Sequence, residues 1–458
     1  MAERADAIVI GMGPGGEEVA GKLAEAGLTV IGIEKELVGG ECPYWGCVPS
    51  KMMIRGADLL AEGRRIPGVS GTSTVTPDWA PVAKRIRKEA TDSWDDRVAV
   101  ERFEKKGGHF VRGAGRLAGP GRVSINGTTY EASKAVVIAT GTSPSIPPIP
   151  GLADVRYWTN RQAIEVETLP KSLTVLGGGA IGLELAQVFS RFGVKVTVVE
   201  GSNRLLAMEE PEACDALHQV LQAEGIDLCV GAKAVSVAQQ GEKIVVTLGD
   251  GRTVTGERLL VATGRRANLT EMGLETVGLD PAAHAVAVDA RLRAGERLWS
   301  VGDVTGKGAF THVAIYQAGI AANDILGKSG PPADYSALPR VTFTDPEVGA
   351  AGLTEEAARK QGIRVRTGIQ KISSNARGWI HGPGNEGFIK VVEDVDRGVL
   401  VGATSMGPRG GDVLGIFELA IKTKIPTDAL RHLIYAYPTF YRGVGEAVAA
   451  LGEDVHSA

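Results

Sequence analysis

Asp6-Ala-Ile-Val-Ile10-Gly11-Met-Gly13-Pro-Gly-Gly16 is the stretch that settles the fold. Residues 6–10 read as a buried strand, the glycines as a tight turn, and the chain through about Ala26 as a helix; residues 29–33 then read as a second strand ending at Glu34. The series returns at residues 172–176, followed by Gly177-Gly-Gly179-Ala-Ile-Gly182, a helix to about Phe192, and a strand over 195–199 ending at Glu200. Glu34 lies 23 residues after Gly11, and Glu200 lies 23 after Gly177. One glycine fingerprint is weak evidence. Two complete strand-turn-helix-strand-acid series predict an α/β chain with two Rossmann-like dinucleotide-binding domains.

In such a unit the first glycine permits the tight turn, the second lets the backbone approach a pyrophosphate, and the third lets the helix pack on its strand. The helix N-terminus attracts phosphates, and the terminal acid accepts hydrogen bonds from a ribose. Gly11, Gly13, Gly16 and Glu34 are therefore expected to hold one dinucleotide, and Gly177, Gly179, Gly182 and Glu200 a second. Glu200 would repel a 2′-phosphate, and Gly201, Ser202 and Asn203 supply no cation, so NADH is favoured; Arg204 keeps NADPH as the alternative.

Between the two series stands Gly39-Gly-Glu-Cys42-Pro-Tyr-Trp-Gly-Cys47-Val-Pro49-Ser-Lys51. Two close thiols can cycle between dithiol and disulfide, storing two electrons. Pro49 suits the first turn of a helix over roughly 49–61, which would set Cys47 at the positive helix end and lower its pKa. Cys214 and Cys229 stand singly and offer no metal-type pair, so no metal site is expected. A nicotinamide does not readily reduce a disulfide, whereas a flavin takes two electrons from nicotinamide and delivers them to sulfur. The first site should hold FAD and the second a nicotinamide.

The 458 residues are too many for one compact core and suggest about three domains. Sixty-two glycines, 43% hydrophobic residues and 5% aromatics favour an α/β enzyme with glycines in strand-to-helix turns. A net charge of −4 argues against a nucleic-acid partner. No apolar run approaches the roughly 18 residues of a membrane span, and no secretory signal precedes the first strand, so a cytoplasmic location is expected.

The ordered motifs resemble the pyridine nucleotide-disulfide oxidoreductase family, which contains dihydrolipoamide dehydrogenase, glutathione reductase and mercuric reductase. The resemblance runs from about Ala5 to about Leu451 and takes in Ala139-Thr140-Gly141 and Val261-Ala-Thr-Gly264, similar to the family's strand-ending turns. Ser300-Val-Gly302-Asp303-Val304 is similar to the segment whose aspartate holds the FAD ribityl chain, and Val341-Thr-Phe-Thr-Asp345-Pro346-Glu347-Val348 to the opening of the family's dimerisation domain. The resemblance implies an FAD-binding domain over 1–149 and 271–333, an NAD(P)-binding domain over 150–270 and a C-terminal α+β dimerisation domain over 334–458. It further implies a homodimer. Cys47 would be the flavin-facing cysteine, Cys42 the outer cysteine that attacks substrate, and Lys51 and Glu184 an ion pair beside the flavin's reactive nitrogen. His312 falls where a helix begins near the flavin ring.

The chain departs from the family near its end. Family members carry a His-Pro-Thr-x-x-Glu type motif, in which histidine is the base for the outer cysteine and glutamate orients it. Here Tyr435-Ala-Tyr437-Pro438-Thr439-Phe-Tyr441-Arg442 puts tyrosine and arginine at those positions. A tyrosine with an ordinary pKa near 10 is a poor proton acceptor at neutral pH, and a guanidinium accepts none. Pro43, Tyr44 and Trp45 also make the inter-cysteine loop more aromatic, and Tyr435, Tyr437, Phe440 and Tyr441 could join them from a partner subunit. The expectation is an FAD-dependent NAD(P)H oxidoreductase delivering electrons to a small acceptor such as a quinone, a redox-active electrophile or an unusual disulfide. A dihydrolipoamide dehydrogenase-like reductase with rerouted proton transfer is one alternative. A mercuric-type reductase is another; those enzymes also place tyrosine near this position but carry a C-terminal cysteine pair, which residues 452–458 lack. A non-enzymatic interaction protein is disfavoured while both cysteines and both fingerprints survive.

Overall fold

The computed structural model describes residues 3–452, arranged as two compact units. The first comprises the chain up to Ser50 with Lys84–Ser145 and Gly264–Asp334; the second comprises Lys51–Ala83, Ile146–Thr263 and the chain from Tyr335 on.

The first unit is built on an eight-stranded sheet. Its central path runs Arg293–Gly295, Leu298–Ser300, Thr128–Ile138, Glu3–Ile10, Val30–Glu34 and His109–Arg112, and all but the outermost antiparallel pair are parallel. Successive side chains go to opposite faces. Ala7 and Val9 pack against the helices Pro14–Glu25, Arg97–Lys105 and Thr311–Ile325, while Ile8 and Ile10 join Ile31, Ile33, Leu117, Val123 and Ile125 on the other face. Burial on both faces explains why residues 6–10 form an almost unbroken apolar run rather than an alternating one.

The second unit repeats the parallel βαβ plan in a four-stranded sheet ordered Asp227–Val230, Lys195–Glu200, Ser172–Leu176 and Arg258–Val261. A three-stranded antiparallel sheet of Ala234–Gln240, Lys243–Leu248 and Thr253–Gly256 shares its core. Beyond Tyr335 comes a five-stranded antiparallel sheet, Pro339–Thr342, Glu347–Gly352, Val399–Gly407, Phe388–Asp394 and Val365–Lys371. Helices Gly415–Lys422 and Arg442–Ala449 cover it through Phe417, Ala420, Val444 and Ala447. No helix among the described residues is long and apolar enough to cross a membrane.

Candidate active site

Both glycine turns have the same local geometry. Gly11 and Gly177 adopt φ of +94° and +110°, conformations that L side chains rarely occupy. A Cβ on either would collide with a carbonyl oxygen, that of Ala139 or of Ala262. A Cβ on Gly16 or Gly182 would strike the carbonyl of Gly11 or Gly177, so each third glycine lets its helix close onto the turn. The middle glycines differ. A Cβ on Gly13 would find its nearest neighbour, Gly40, 4.0 Å away, and one on Gly179 would meet nothing within 4 Å, which leaves both turns open for backbone approach. Helices Pro14–Glu25 and Ala180–Arg191 start there with no side-chain cap, so their first N–H groups are available to an anion.

The terminal acids are held alike. Glu34 accepts from the Met12 N–H at 2.9 Å and the Glu36 N–H at 2.8 Å; Glu200 accepts from the Gly178 N–H and the Ser202 N–H, each at 2.6 Å. Each carboxylate is thus fixed beside its glycine turn. An open turn, an uncapped helix start and an oriented carboxylate together fit a dinucleotide at either site.

Thr140 and Gly141 lead into Thr142–Pro144, which pairs with Arg265–Ala267 directly after Gly264. Thr140 and Asn268 exchange hydrogen bonds, each 2.9 Å. The Gly302 N–H donates to Gln317 at 2.7 Å, and Asp303 accepts from the Thr142 hydroxyl at 2.7 Å. Arg265 in turn donates to the Thr142 hydroxyl and carbonyl and lies 3.4 Å from Glu41, which immediately precedes Cys42.

The cysteine helix is longer than expected: Cys47–Arg65, with Pro49 in its first turn, where a missing N–H removes no helix bond. Cys42 sits in the short helix Glu41–Tyr44, and Gly40 (φ +66°) packs against Gly13, locking the cysteine loop onto the first glycine turn. Cys42 is half-buried and Cys47 exposed. A hydrogen bond to Cys47, together with burial, pushes the Cys42 thiol far above the ordinary thiol range. Cys47 Sγ lies 3.4 Å from the hydroxyl of Thr311, the first residue of helix Thr311–Ile325. Thr311 went unnoticed in the sequence. Its neighbour His312 stacks on Phe310, with ring centroids 5.1 Å apart and planes 14° apart.

The expected aromatic lining is corrected at several points. Tyr44 and Trp45 are buried and tilted together, because the Glu41–Tyr44 turn carries them inward. Tyr435 packs on Tyr441 at 5.0 Å and donates to the Leu430 carbonyl, while Phe440 is buried against His381. Tyr437 alone of these six is well exposed, at 69%. Arg442 lies over its ring at 5.4 Å and pairs with Glu446 at 3.3 Å.

In the second unit Lys51 Nζ is 2.8 Å from Glu184 and 4.5 Å above the Phe343 ring. The other Glu184 oxygen accepts from the Phe343 N–H at 2.8 Å. Glu184 is buried and Lys51 half-buried, so the ammonium is the more accessible end of the pair.

Two family models match the chain: pyridine nucleotide-disulphide oxidoreductase over residues 5–318, and the dimerisation domain of the same family over residues 338–448. The chain belongs to the pyridine nucleotide-disulphide oxidoreductase family. Its members use FAD and NAD(P)H, and the dimerisation domain supports a homodimer. The oxidoreductase is similar to a mercuric reductase of Bacillus cereus, at 33% identity over 98% of this chain and 72% of that one. It is equally similar to a dihydrolipoyl dehydrogenase of Chlorobaculum tepidum, at 33% identity over 98% of this chain and 97% of that one. Among solved structures, LpdA of Mycobacterium tuberculosis superposes with a TM-score of 0.86 at 28% identity, covering 98% of this chain and 99% of that one.

Proposed function

We propose that this oxidoreductase, which carries a redox-active Cys42–Cys47 pair, passes two electrons from NADH through FAD to a small acceptor that needs no histidine base, with a quinone as the leading class. The observation that carries the reading is at the positions where family members have the base and its orienting acid, which hold an exposed Tyr437 under the guanidinium of Arg442. A neutral phenol is a poor proton acceptor and a guanidinium accepts none. A disulfide substrate, which must be attacked by the Cys42 thiolate, is therefore disfavoured.

The nucleotide domains follow the same reading: FAD in 1–149 and 271–333, NADH in 150–270, and the subunit interface from 334 onward. Gly11, Gly13, Gly16 and Glu34 would hold the adenosine diphosphate half of FAD, and Asp303, Thr140, Gly141 and Gly302 its remainder; Gly177, Gly179, Gly182, Glu200 and Gly264 would hold NADH. When bound, the flavin takes two electrons from nicotinamide and passes them to sulfur or to an acceptor. Lys51, oriented by Glu184, would place positive charge beside the reduced ring, and the start of helix Thr311–Ile325, where His312 stands, would add to it. Thr311 would donate to Cys47 when that thiol is ionised. The overall balance is NADH, one proton and a quinone giving NAD⁺ and the hydroquinone.

Anaerobic NADH titration, followed by a panel of oxidants, tests this. Reduction should take up four electrons per chain, two beyond the flavin. Quinones should empty them quickly in wild-type protein and in Cys42→Ser, whereas lipoamide and glutathione disulfide should turn over weakly. General-base catalysis contributes about 10²–10⁴-fold, so the deficit should be plain. Lipoamide turnover at about 10 per second or faster in wild-type protein would defeat the reading in favour of a conventional disulfide reductase. Mercuric ion belongs in the same panel, because a dithiol binds soft metals and the similar Bacillus cereus protein is a mercuric reductase.

A further inference from the structure

The Lys51–Glu184 pair is one rung of a longer ladder. Lys51, Asp58 and Arg65 recur every seven residues on helix Cys47–Arg65, and Glu184 and Arg191 stand seven apart on helix Ala180–Arg191. Seven residues are about 10 Å, or nearly two full turns, so each set shares a face. The second rung is Asp58 with Arg191, at 2.8 Å. Charge alternates along the ladder: cation to anion at the first rung, anion to cation at the second.

A third segment runs alongside. The Phe343 N–H donates to Glu184; Asp345 receives and returns hydrogen bonds with Gln187, at 2.8 Å each; and the Asp345 carboxylate takes both Arg191 and Arg65 at 2.7 Å. Glu224 completes the environment of Arg191 at 2.6 Å, and Arg64 donates to the Arg191 carbonyl. Arg191 is 3% exposed. A buried guanidinium that reaches Asp58, Glu224 and Asp345 through a rigid fork fixes the register of the segments bearing Lys51, Glu184 and Phe343. A slip of one residue would carry Lys51 about 100° around its helix and away from Glu184.

We propose that Arg191 is a positioning residue for the reaction: it acts through the helix register to hold the Lys51 ammonium where it stabilises the reduced flavin. The proposal rests on the reading that Lys51 stands beside the flavin. A buried ionic cluster is weak evidence for stability, so the role assigned here is geometric.

The test is the two-electron midpoint potential of the flavin in the holoenzyme, measured for wild type, Arg191→Lys, Asp58→Asn, Lys51→Met and the double variant Arg191→Lys/Lys51→Met. Lysine keeps the charge but loses the fork; Asp58→Asn is the milder variant if Arg191→Lys folds poorly. Each single variant should make flavin reduction less favourable, Lys51→Met by about tenfold, which is ~30 mV for a two-electron couple. Arg191→Lys should add nothing once Lys51 is gone. An unshifted potential in Arg191→Lys and Asp58→Asn beside a shifted one in Lys51→Met would overturn the positioning role, as would a full Arg191→Lys shift persisting in the double variant. An unshifted potential in Lys51→Met would instead remove the reading beneath it, and the proposal with it.

Discussion

The two glycine turns have nearly the same backbone and differ in what is attached to them. Glu34 and Glu200 each bridge a turn N–H and the N–H two residues on, and a Cβ would collide with a carbonyl at both first and both third glycines. The first turn, however, receives Gly40 and with it the cysteine loop. The second leads into a helix whose face carries Glu184, Gln187 and Arg191. One fold unit therefore serves twice, and the chemistry of each copy is set by the side chains that follow its turn.

The comparison breaks most decisively at the third glycines. Gly16→Val and Gly182→Val insert the same clash, yet their consequences should differ in kind. Gly16→Val should yield colourless or insoluble protein. Gly182→Val should stay yellow and accept electrons from dithionite while its KM for NADH rises by about a hundredfold or more, the loss of ~2.7 kcal/mol of binding. Absorbance at the flavin band and stopped-flow reduction by NADH read both. Normal NADH reduction of Gly182→Val would mean that the second turn does not bind the nicotinamide dinucleotide.

A smaller effect is expected at the matched acids. Glu200→Ala removes a ribose acceptor and a charge opposed to a 2′-phosphate, so the preference for NADH over NADPH should narrow by about tenfold, or ~1.4 kcal/mol. Ratios of kcat/KM for the two coenzymes measure it. Should the ratio stay fixed, Lys233 becomes the better candidate for control, since its Cγ lies 3.4 Å from where a Gly201 Cβ would stand.

The two turns were legible because everything they need lies within 23 residues, where spacing and strand pattern report directly on backbone. Residues that meet across long separations were not. Thr311 lies 264 residues from Cys47, and nothing about a threonine at a helix start announces a thiol partner. Lys51 and Glu184, 133 residues apart, were joined only through family resemblance. Arg191 was invisible for a different reason: an arginine ending an amphipathic helix ordinarily faces water, and only the folded structure brings Asp58, Glu224 and Asp345 around it. Tyr44 and Trp45 misled because both side chains are buried at the end of the short helix around Cys42, where spacing between cysteines alone does not show which side they take.

The smallest effect separates position from stability. Burial raises the Asp58 carboxyl from an ordinary 3.8 to about 6; Arg191 opposes the rise and Asp345 adds to it, with Arg55 and Arg65 also opposing. The folded protein therefore holds this proton more tightly than the unfolded chain does. Below about pH 4 the group is protonated in both states, and above about pH 6 it is ionised in both, with the full cost of burying its charge present only at the higher pH. Stability contributed by the proton is thus lost as pH rises through this window. Asparagine resembles the protonated form at every pH, so Asp58→Asn should gain on wild type between about pH 4.5 and pH 7.5, by roughly 2 °C in Tm. The same substitution should lower the flavin potential at neutral pH. A variant that is no less stable yet harder to reduce would show that the second rung holds Lys51 in place without holding the fold together, whereas a Tm difference that shrinks as pH rises would mean that Arg191 outweighs burial and that the ladder stabilises the fold outright.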